Sequence, residues 1–141
     1  MKFMMIVKAD EQSEAGIMPS EELLANMNKF NEELERAGVL IDLNGLHSSS
    51  KGARVKFSGR QATVIDGPFP ETKELIAGYW VIKADSLQEA IDWIQRSPFK
   101  DTSEGEEVIE IRQVFDLDDF PSVPKEVRAM EDRLKAKAGT A

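Results

Sequence analysis

Residues 2–9, with the sequence KFMMIVKA, decide which fold this chain can adopt. In an extended strand, successive side chains point to opposite faces of the sheet. Phe3, Met5 and Val7 therefore share one face, and the opposite face of the same run is also mostly apolar. A strand that is apolar on both sides is typical of a sheet covered on both faces.

Two later segments have the periodicity of amphipathic helices. The first begins at Ser20, a good N-cap, and ends at Gly38, where a left-handed C-cap is common. Its apolar stripe comprises Leu23, Met27, Phe30, Leu34 and Ala37. The second begins at Ser86, with Glu89 in the capping-box position, and ends before Pro98.

The rest of the chain divides into β-prone runs and polar connections. Further strands are predicted at residues 39–46, 75–84 and 107–115. Two more runs, 53–57 and 61–65, flank Ser58-Gly59-Arg60 and predict a β-hairpin. Residues 10–16 and 100–106 are polar and are predicted to be loops.

Without the hairpin, the order of these elements is βαββαβ, which predicts an α+β, ferredoxin-like domain over residues 1–120. Two helices cover only one face of such a sheet, yet residues 2–9 and 79–82 are apolar on both faces. The open face therefore needs a partner. A second copy of the chain is the simplest one, so we expect a sheet-to-sheet homodimer with Trp80 at the interface.

An alternative partner for the open face is the end of the chain itself. Residues 121–141 are predicted to form a charged helix followed by a frayed tail. Val127, Met130 and Leu134 give that helix a short apolar stripe. If the helix folds back over the sheet, the chain is a monomer.

Composition narrows the class of protein. The chain has 141 residues with 26 acids against 18 Lys plus Arg, a net charge of -8 that argues against nucleic-acid binding. It has no Cys, which excludes disulfides and thiolate metal sites. Its N-terminal apolar run is too short for a signal peptide or a membrane span. We therefore expect a soluble, cytoplasmic domain that binds neither nucleic acid nor membrane.

The most distinctive stretch is residues 66–74, with the sequence DGPFPETKE. Asp-Gly-Pro is a sequence typical of turns, and a turn by itself would explain the presence of Gly67 and Pro68. Several charged side chains nevertheless surround Phe69. A carboxylate held by a rigid turn beside an apolar ring is a candidate general acid or base, and Asp66 is that carboxylate.

This stretch, followed by IAGYW and by a helix with EAIDW, closely resembles the YCII-related, DGPF-type proteins from about residue 2 to residue 115. The resemblance implies a ferredoxin-like fold that dimerises through its sheets into an α+β barrel. It also implies a His–Asp pair in a pocket near the dimer interface. Asp66 matches the motif's Asp, and His47 is the only His of the chain.

Other residues are candidates for holding a small-molecule ligand. They are Arg54, Phe69, Glu71, Lys73 and Arg112. For Arg112, the alternative is a surface ion pair with Glu110, two residues away on the same strand face. With one His and no Cys, the sequence predicts no metal site, and no motif predicts a cofactor.

Two functions remain open at this point. One is a small-molecule enzyme that uses Asp66, with or without His47, as a general acid or base. The other is a non-catalytic binding or accessory module, because DGPF-type proteins resemble partners of alternative sigma factors. A close Asp66–His47 contact in a concave site would favour the enzyme, and a solvent-exposed His47 far from Asp66 would favour the module.

Overall fold

The computed structural model describes residues 1–101 and 106–139. The strands are β1 (Lys2–Lys8), β2 (Leu40–Gly45), β3 (Ala53–Ser58), β4 (Gln61–Asp66), β5 (Ile76–Lys83) and β6 (Ile109–Gln113). The helices are α1 (Glu11–Glu14), α2 (Glu21–Arg36), α3 (Leu87–Gln95) and α4 (Lys125–Gly139). Residues 102–105 of the predicted polar loop and residues 140–141 of the predicted frayed tail lie outside the described residues.

Four strands form one sheet in the order β2-β5-β1-β6, and every neighbouring pair is antiparallel. The units β1–α2–β2 and β5–α3–β6 interlock, because each leaves a gap that a strand of the other fills. The α+β class is confirmed, and this topology is compatible with a ferredoxin-like fold. The strands β3 and β4 pair only with each other, as a separate two-stranded ribbon.

The core lies on one face of the sheet, between the sheet and the helices α2 and α3. Met5 pairs with Trp80 on one side and Ile111 on the other, so all three share this face. The buried apolar side chains are Phe3, Met5, Phe30, Leu34, Trp80, Ile82, Ala84 and Ala90. Trp80 is only 4% exposed, and the expectation that it lies at a sheet-to-sheet interface is therefore wrong.

The local signals read from the sequence behave as expected at three helix ends. Ser20 accepts a hydrogen bond from the Leu23 N–H, and Ser86 accepts one from the Glu89 N–H. Gly38 has a φ of +73°, the left-handed conformation that follows a helix. The Glu89 carboxylate, however, accepts its bond from the N–H of Asp85, one residue before the predicted partner.

The prediction of a plain loop over residues 10–16 is wrong, because the short helix α1 forms there. The Asp10 carboxylate accepts a hydrogen bond from the Ser13 N–H, and the Ser13 hydroxyl accepts one from the Asp10 N–H. This reciprocal pair is a capping box in which Asp10 is the N-cap residue and Ser13 takes the third helical position, where Glu or Gln is more common. It holds the segment after β1 in a fixed position.

The open face of the sheet carries a central apolar strip formed by Met4, Ile6, Tyr79 and Val81, all half-buried. These side chains alternate with the core residues of β1 and β5, and so point away from the helices. Helix α4 does not pack extensively on the sheet. Its own stripe stays uncovered, with Leu134 58% exposed.

The buried indole of Trp80 gives a test of this packing. Its Nε1–H donates a hydrogen bond of 2.8 Å to the side chain of Asn31 on α2. We expect Asn31→Ala to lower the free energy of unfolding by about 1–3 kcal/mol, because the indole N–H loses its partner. Urea denaturation measures this change. Asn28→Ala is the control, since Asn28 is an exposed amide on the same helix, and an equal loss in both variants would contradict the assignment.

Candidate functional site

A pocket of about 460 Å³ opens between α2 and the end of the sheet where β1 ends and β5 begins. Most of its lining is apolar, contributed by Val7, Ile17, Met18, Pro19, Leu23, Leu24, Met27, Leu43, Ala77, Trp80 and Phe99. The polar residues that line it are Lys8, Asp10, Gln12, Ser13, Asn28, Asn31, Asn44, Tyr79 and Glu107. An apolar cavity with a few polar groups is the usual form of a small-molecule site.

Trp80 is the rigid wall of this pocket. Its ring meets Phe30 edge-on at 5.5 Å between centroids and Phe99 at 6.1 Å. The hydrogen bond to Asn31 fixes the orientation of the indole. The pocket therefore exists as a preformed cavity on the core side of the sheet.

Small residues bring β2 and β5 close together along the side of the pocket. A Cβ atom on Gly78 would lie 2.9 Å from the Asn44 carbonyl oxygen, so only Gly fits there. On the open face of the sheet, Asn44 donates a hydrogen bond to the Tyr79 hydroxyl, which in turn donates to Asp42, both at 3.0 Å. This chain of bonds links β2 to β5 on the side of the sheet away from α2.

Two acids line the same pocket, and one of them is electrostatically perturbed. Partial burial, and secondarily the negative charge of Asp10, raise the pKa of Glu107 above its usual value. Asp10 is itself held in place as the cap of α1. Glu107 is therefore the described pocket residue best prepared to hold a proton or to exchange one with a ligand.

The Asp66-Gly67-Pro68-Phe69 motif lies outside this pocket lining and forms a joint at the base of the ribbon. A Cβ on Gly67 would lie 1.7 Å from the Ser49 carbonyl oxygen, so the two backbones are in direct contact. The Phe69 N–H donates to the Ser49 hydroxyl at 2.9 Å. Glu14 of α1 accepts hydrogen bonds from both the N–H and the hydroxyl of Ser49. The motif's Gly and Phe thus hold the ribbon against the body of the domain.

Three of the sequence-predicted ligand residues meet at this joint. The Arg54 guanidinium carbon lies 3.9 Å from the centre of the Phe69 ring. The same guanidinium forms an ion pair of 3.2 Å with Glu71. This cluster joins β3 to the segment before β5. All three side chains therefore have a structural role. Lys73 is exposed and forms no ion pair with any described residue.

Asp66 and His47 are both exposed. Within residues 1–101 and 106–139, no hydrogen bond or ion pair joins them, and neither lines the pocket beside Trp80. Arg112 forms an ion pair of 3.4 Å with Glu110 on the open face of β6, as the alternative prediction states. The side chain of Arg112 is 72% exposed, and this ion pair therefore contributes little to stability.

The described residues contain no group of three or more His, Cys, Asp or Glu side chains arranged to hold a metal ion. In the same part of the chain, no helix has the length and apolar character needed to cross a membrane.

Comparison with known proteins assigns the family. The model of the YCII-related domain matches residues 1–118, which include the pocket, the joint and the ribbon. The chain belongs to the YCII-related family. An uncharacterized protein from Rhizobium meliloti (strain 1021) is similar to it, with 26% identity over 102 residues that cover 72% of this chain and 82% of the relative.

Sequence reasoning on this YCII-related chain missed the pocket and its acids. Asp10 falls in a segment predicted to be a loop, although the spacing Asp10-x-x-Ser13 is a capping signal. Glu107 sits at the start of a predicted strand, where one acid among many gives no signal. The pairing of these two acids depends on β1 and β6 being neighbours, which is a long-range feature.

The joint makes a direct prediction for Gly67. We expect Gly67→Ala to lower the free energy of unfolding by about 1–3 kcal/mol, because the new methyl group displaces the Ser49 backbone. Gly52→Ala is the control, since its Cβ would meet the same oxygen at an ordinary 3.6 Å. Chemical denaturation compares the two, and a Gly67→Ala variant as stable as Gly52→Ala would contradict the close contact.

The raised pKa of Glu107 predicts a pH dependence of stability. A carboxyl group with a raised pKa binds its proton more tightly in the folded chain than in the unfolded chain. Its contribution to stability is therefore present at low pH and is lost as the pH rises through the folded-state value. We expect Glu107→Gln to raise the melting temperature at about pH 7, with a gain that shrinks toward about pH 4.

Thermal melts across this pH range test the prediction. Glu106→Gln is the control, because it removes the same charge from the exposed neighbour that does not line the pocket. Equal gains for both variants would attribute the effect to net charge alone.

Proposed function

We propose that this YCII-related protein binds a small, mostly apolar molecule in the pocket beside Trp80. The observation that carries the proposal is the preformed apolar cavity, whose aromatic wall is held by the hydrogen bond from Trp80 to Asn31. Its volume of about 460 Å³ lies within the range of pockets that bind small molecules. The apolar part of such a ligand packs against α2 and Trp80.

The charges around the pocket indicate the polar end of the ligand. Among the residues that the structure describes, Asp10 and Glu107 line it together with a single cation, Lys8. Two carboxylates repel an anionic group and accept hydrogen bonds from an amine or a hydroxyl. We therefore propose a neutral or positively charged ligand with a hydrogen-bond donor.

A catalytic role, if the protein has one, would use a proton at Glu107. A carboxyl group with a raised pKa keeps its proton to a higher pH than an ordinary carboxyl group, which suits it to act as a general acid. Catalysis by Asp66 with His47 stays a prediction, because both side chains are exposed and the described residues place no bond between them. Binding without turnover would identify the non-catalytic module.

The proposal includes the homodimer formed through the open face of the sheet. The half-buried strip of Met4, Ile6, Tyr79 and Val81 supports it, since a continuous apolar strip on a sheet favours burial against a second surface. The lack of extensive packing by α4 on the sheet leaves this strip available.

Binding is tested with three six-carbon probes that differ only in their polar end: hexylamine, hexanol and hexanoate. We expect the amine and the alcohol to bind and hexanoate to bind at least about tenfold more weakly, a difference of about 1.4 kcal/mol. Titration followed by NMR chemical shifts measures the affinities and identifies the residues that respond.

Two Leu→Trp variants show whether the pocket is the binding site. Leu24→Trp fills the pocket, whereas Leu87→Trp adds the same ring on α3, outside it. Both leucines are 51% exposed, so neither change should unfold the chain. We expect Leu24→Trp alone to abolish binding. Equal binding by both variants, or no binding of any probe to the unaltered chain, would overturn the proposal.

A further inference from the structure

The side chain of Asn31, which lines the pocket from α2, has its two polar atoms in different situations. Its Oδ1 atom accepts the hydrogen bond of 2.8 Å from the Trp80 indole. Because an indole N–H can only donate, the atom that meets it must be the amide oxygen. The Nδ2 group, which only donates, is therefore left on the other branch of the amide.

Within residues 1–101 and 106–139, the Nδ2 group has no acceptor. The hydrogen bond to Trp80 is the only one that the Asn31 side chain forms there. Asn31 is half-buried and borders the pocket, so a ligand that fills the pocket displaces water from this group. If the ligand is apolar at this point, the amide loses hydrogen bonds to water and receives none in return, which weakens binding.

Asn31 differs in this respect from its polar neighbours in the pocket. Asn28, about one turn earlier on the same helix, forms no side-chain hydrogen bond with any described residue, so its amide can turn either atom toward a ligand. The Ser13 hydroxyl already donates to the Asp10 carbonyl oxygen and accepts from the Asp10 N–H. Asn31, by contrast, combines a fixed orientation with an unused donor.

The two acids of the pocket have the opposite chemistry. Asp10 and Glu107 offer acceptor oxygens, which suit the donor group of the proposed ligand. Asp10 follows β1 and Glu107 precedes β6, whereas Asn31 belongs to α2. The pocket therefore has a region that accepts hydrogen bonds and a region that donates them, and different elements of the fold supply the two.

We infer that Asn31 is a specificity-determining residue, and that the ligand carries a hydrogen-bond acceptor within its apolar part, beside α2. The Nδ2 group donates to that acceptor, which is an ether, carbonyl or hydroxyl oxygen. This inference rests on the proposed function and narrows its ligand class to a molecule with a donor at its polar end and an oxygen along its chain. A site that hydrogen-bonds its ligand discriminates against analogues that lack the matching group.

Amines of equal length test this assignment in the unaltered chain. Octylamine has an all-carbon chain, and four ether amines of the same length carry an oxygen in place of its third, fourth, fifth or sixth carbon, counted from the nitrogen. NMR titration follows the side-chain NH2 signals of Asn31. We expect at least one ether to move one of these proton signals downfield, as a new hydrogen bond does, and octylamine to cause no downfield shift.

Affinities in two variants give the energetic test. Asn31→Asp keeps an oxygen for the Trp80 indole and replaces the NH2 donor by a second oxygen. The measured quantity is the Kd of each ether divided by the Kd of octylamine, in which the effect of the new charge on the shared amine cancels. We expect Asn31→Asp to raise this ratio at least about fivefold for the ether that shifts the Asn31 signal. Asn28→Asp, which adds the same charge to the same helix, should change it less than about twofold.

The outcomes separate this inference from the proposed function. If octylamine binds and Leu24→Trp abolishes that binding, the proposed function stands. The role of Asn31 is then overturned if no ether shifts its signals downfield, if Asn31→Asp leaves the ratio unchanged, or if Asn28→Asp raises the ratio equally. Should Asn31→Asp fail to fold, the NMR titration of the unaltered chain decides alone. No binding of any amine overturns both proposals.

Discussion

The antiparallel pairing of β1 with β5 is the constraint on which the rest of the structure depends. Both strands are apolar on both faces, so the register between them decides which side chains form the core. Met5 opposite Trp80 places the indole among α2, Phe30 and Phe99. A shift of one residue would bury Tyr79 and expose Trp80. The same pairing therefore sets the core, the pocket wall and the open face.

In this structure the DGPF motif has a structural role, because it joins the ribbon to the body of the domain. Gly67 is required because its backbone touches that of Ser49, and Phe69 supports both Ser49 and Arg54. The side chain of Asp66 points to no described partner. A motif this specific suggests a catalytic role. Close backbone packing alone, however, restricts position 67 to Gly just as strongly.

Charge and apolar surface are distributed unevenly along the chain. The pocket gathers Asp10 and Glu107, the ribbon gathers basic residues, and the C-terminal segment, residues 115–134, gathers acids beside exposed Phe and Leu side chains. A ligand with a donor group suits the first. The net charge of -8 hides this segregation, since it reports only the sum.

The sequence by itself determined the α+β class, the two long helices with their Ser20 and Ser86 caps, the ribbon strands and the family. Caps and amphipathic periodicity act within a few residues, so a short window contains their physical cause. Tertiary structure decided that Trp80 belongs to the core and that Glu107 lies near Asp10 in a pocket. It also decided that Arg54 stacks on Phe69 and forms an ion pair with Glu71. Each of these contacts joins segments distant in sequence. Their formation depends on strand order and register, which no local pattern encodes.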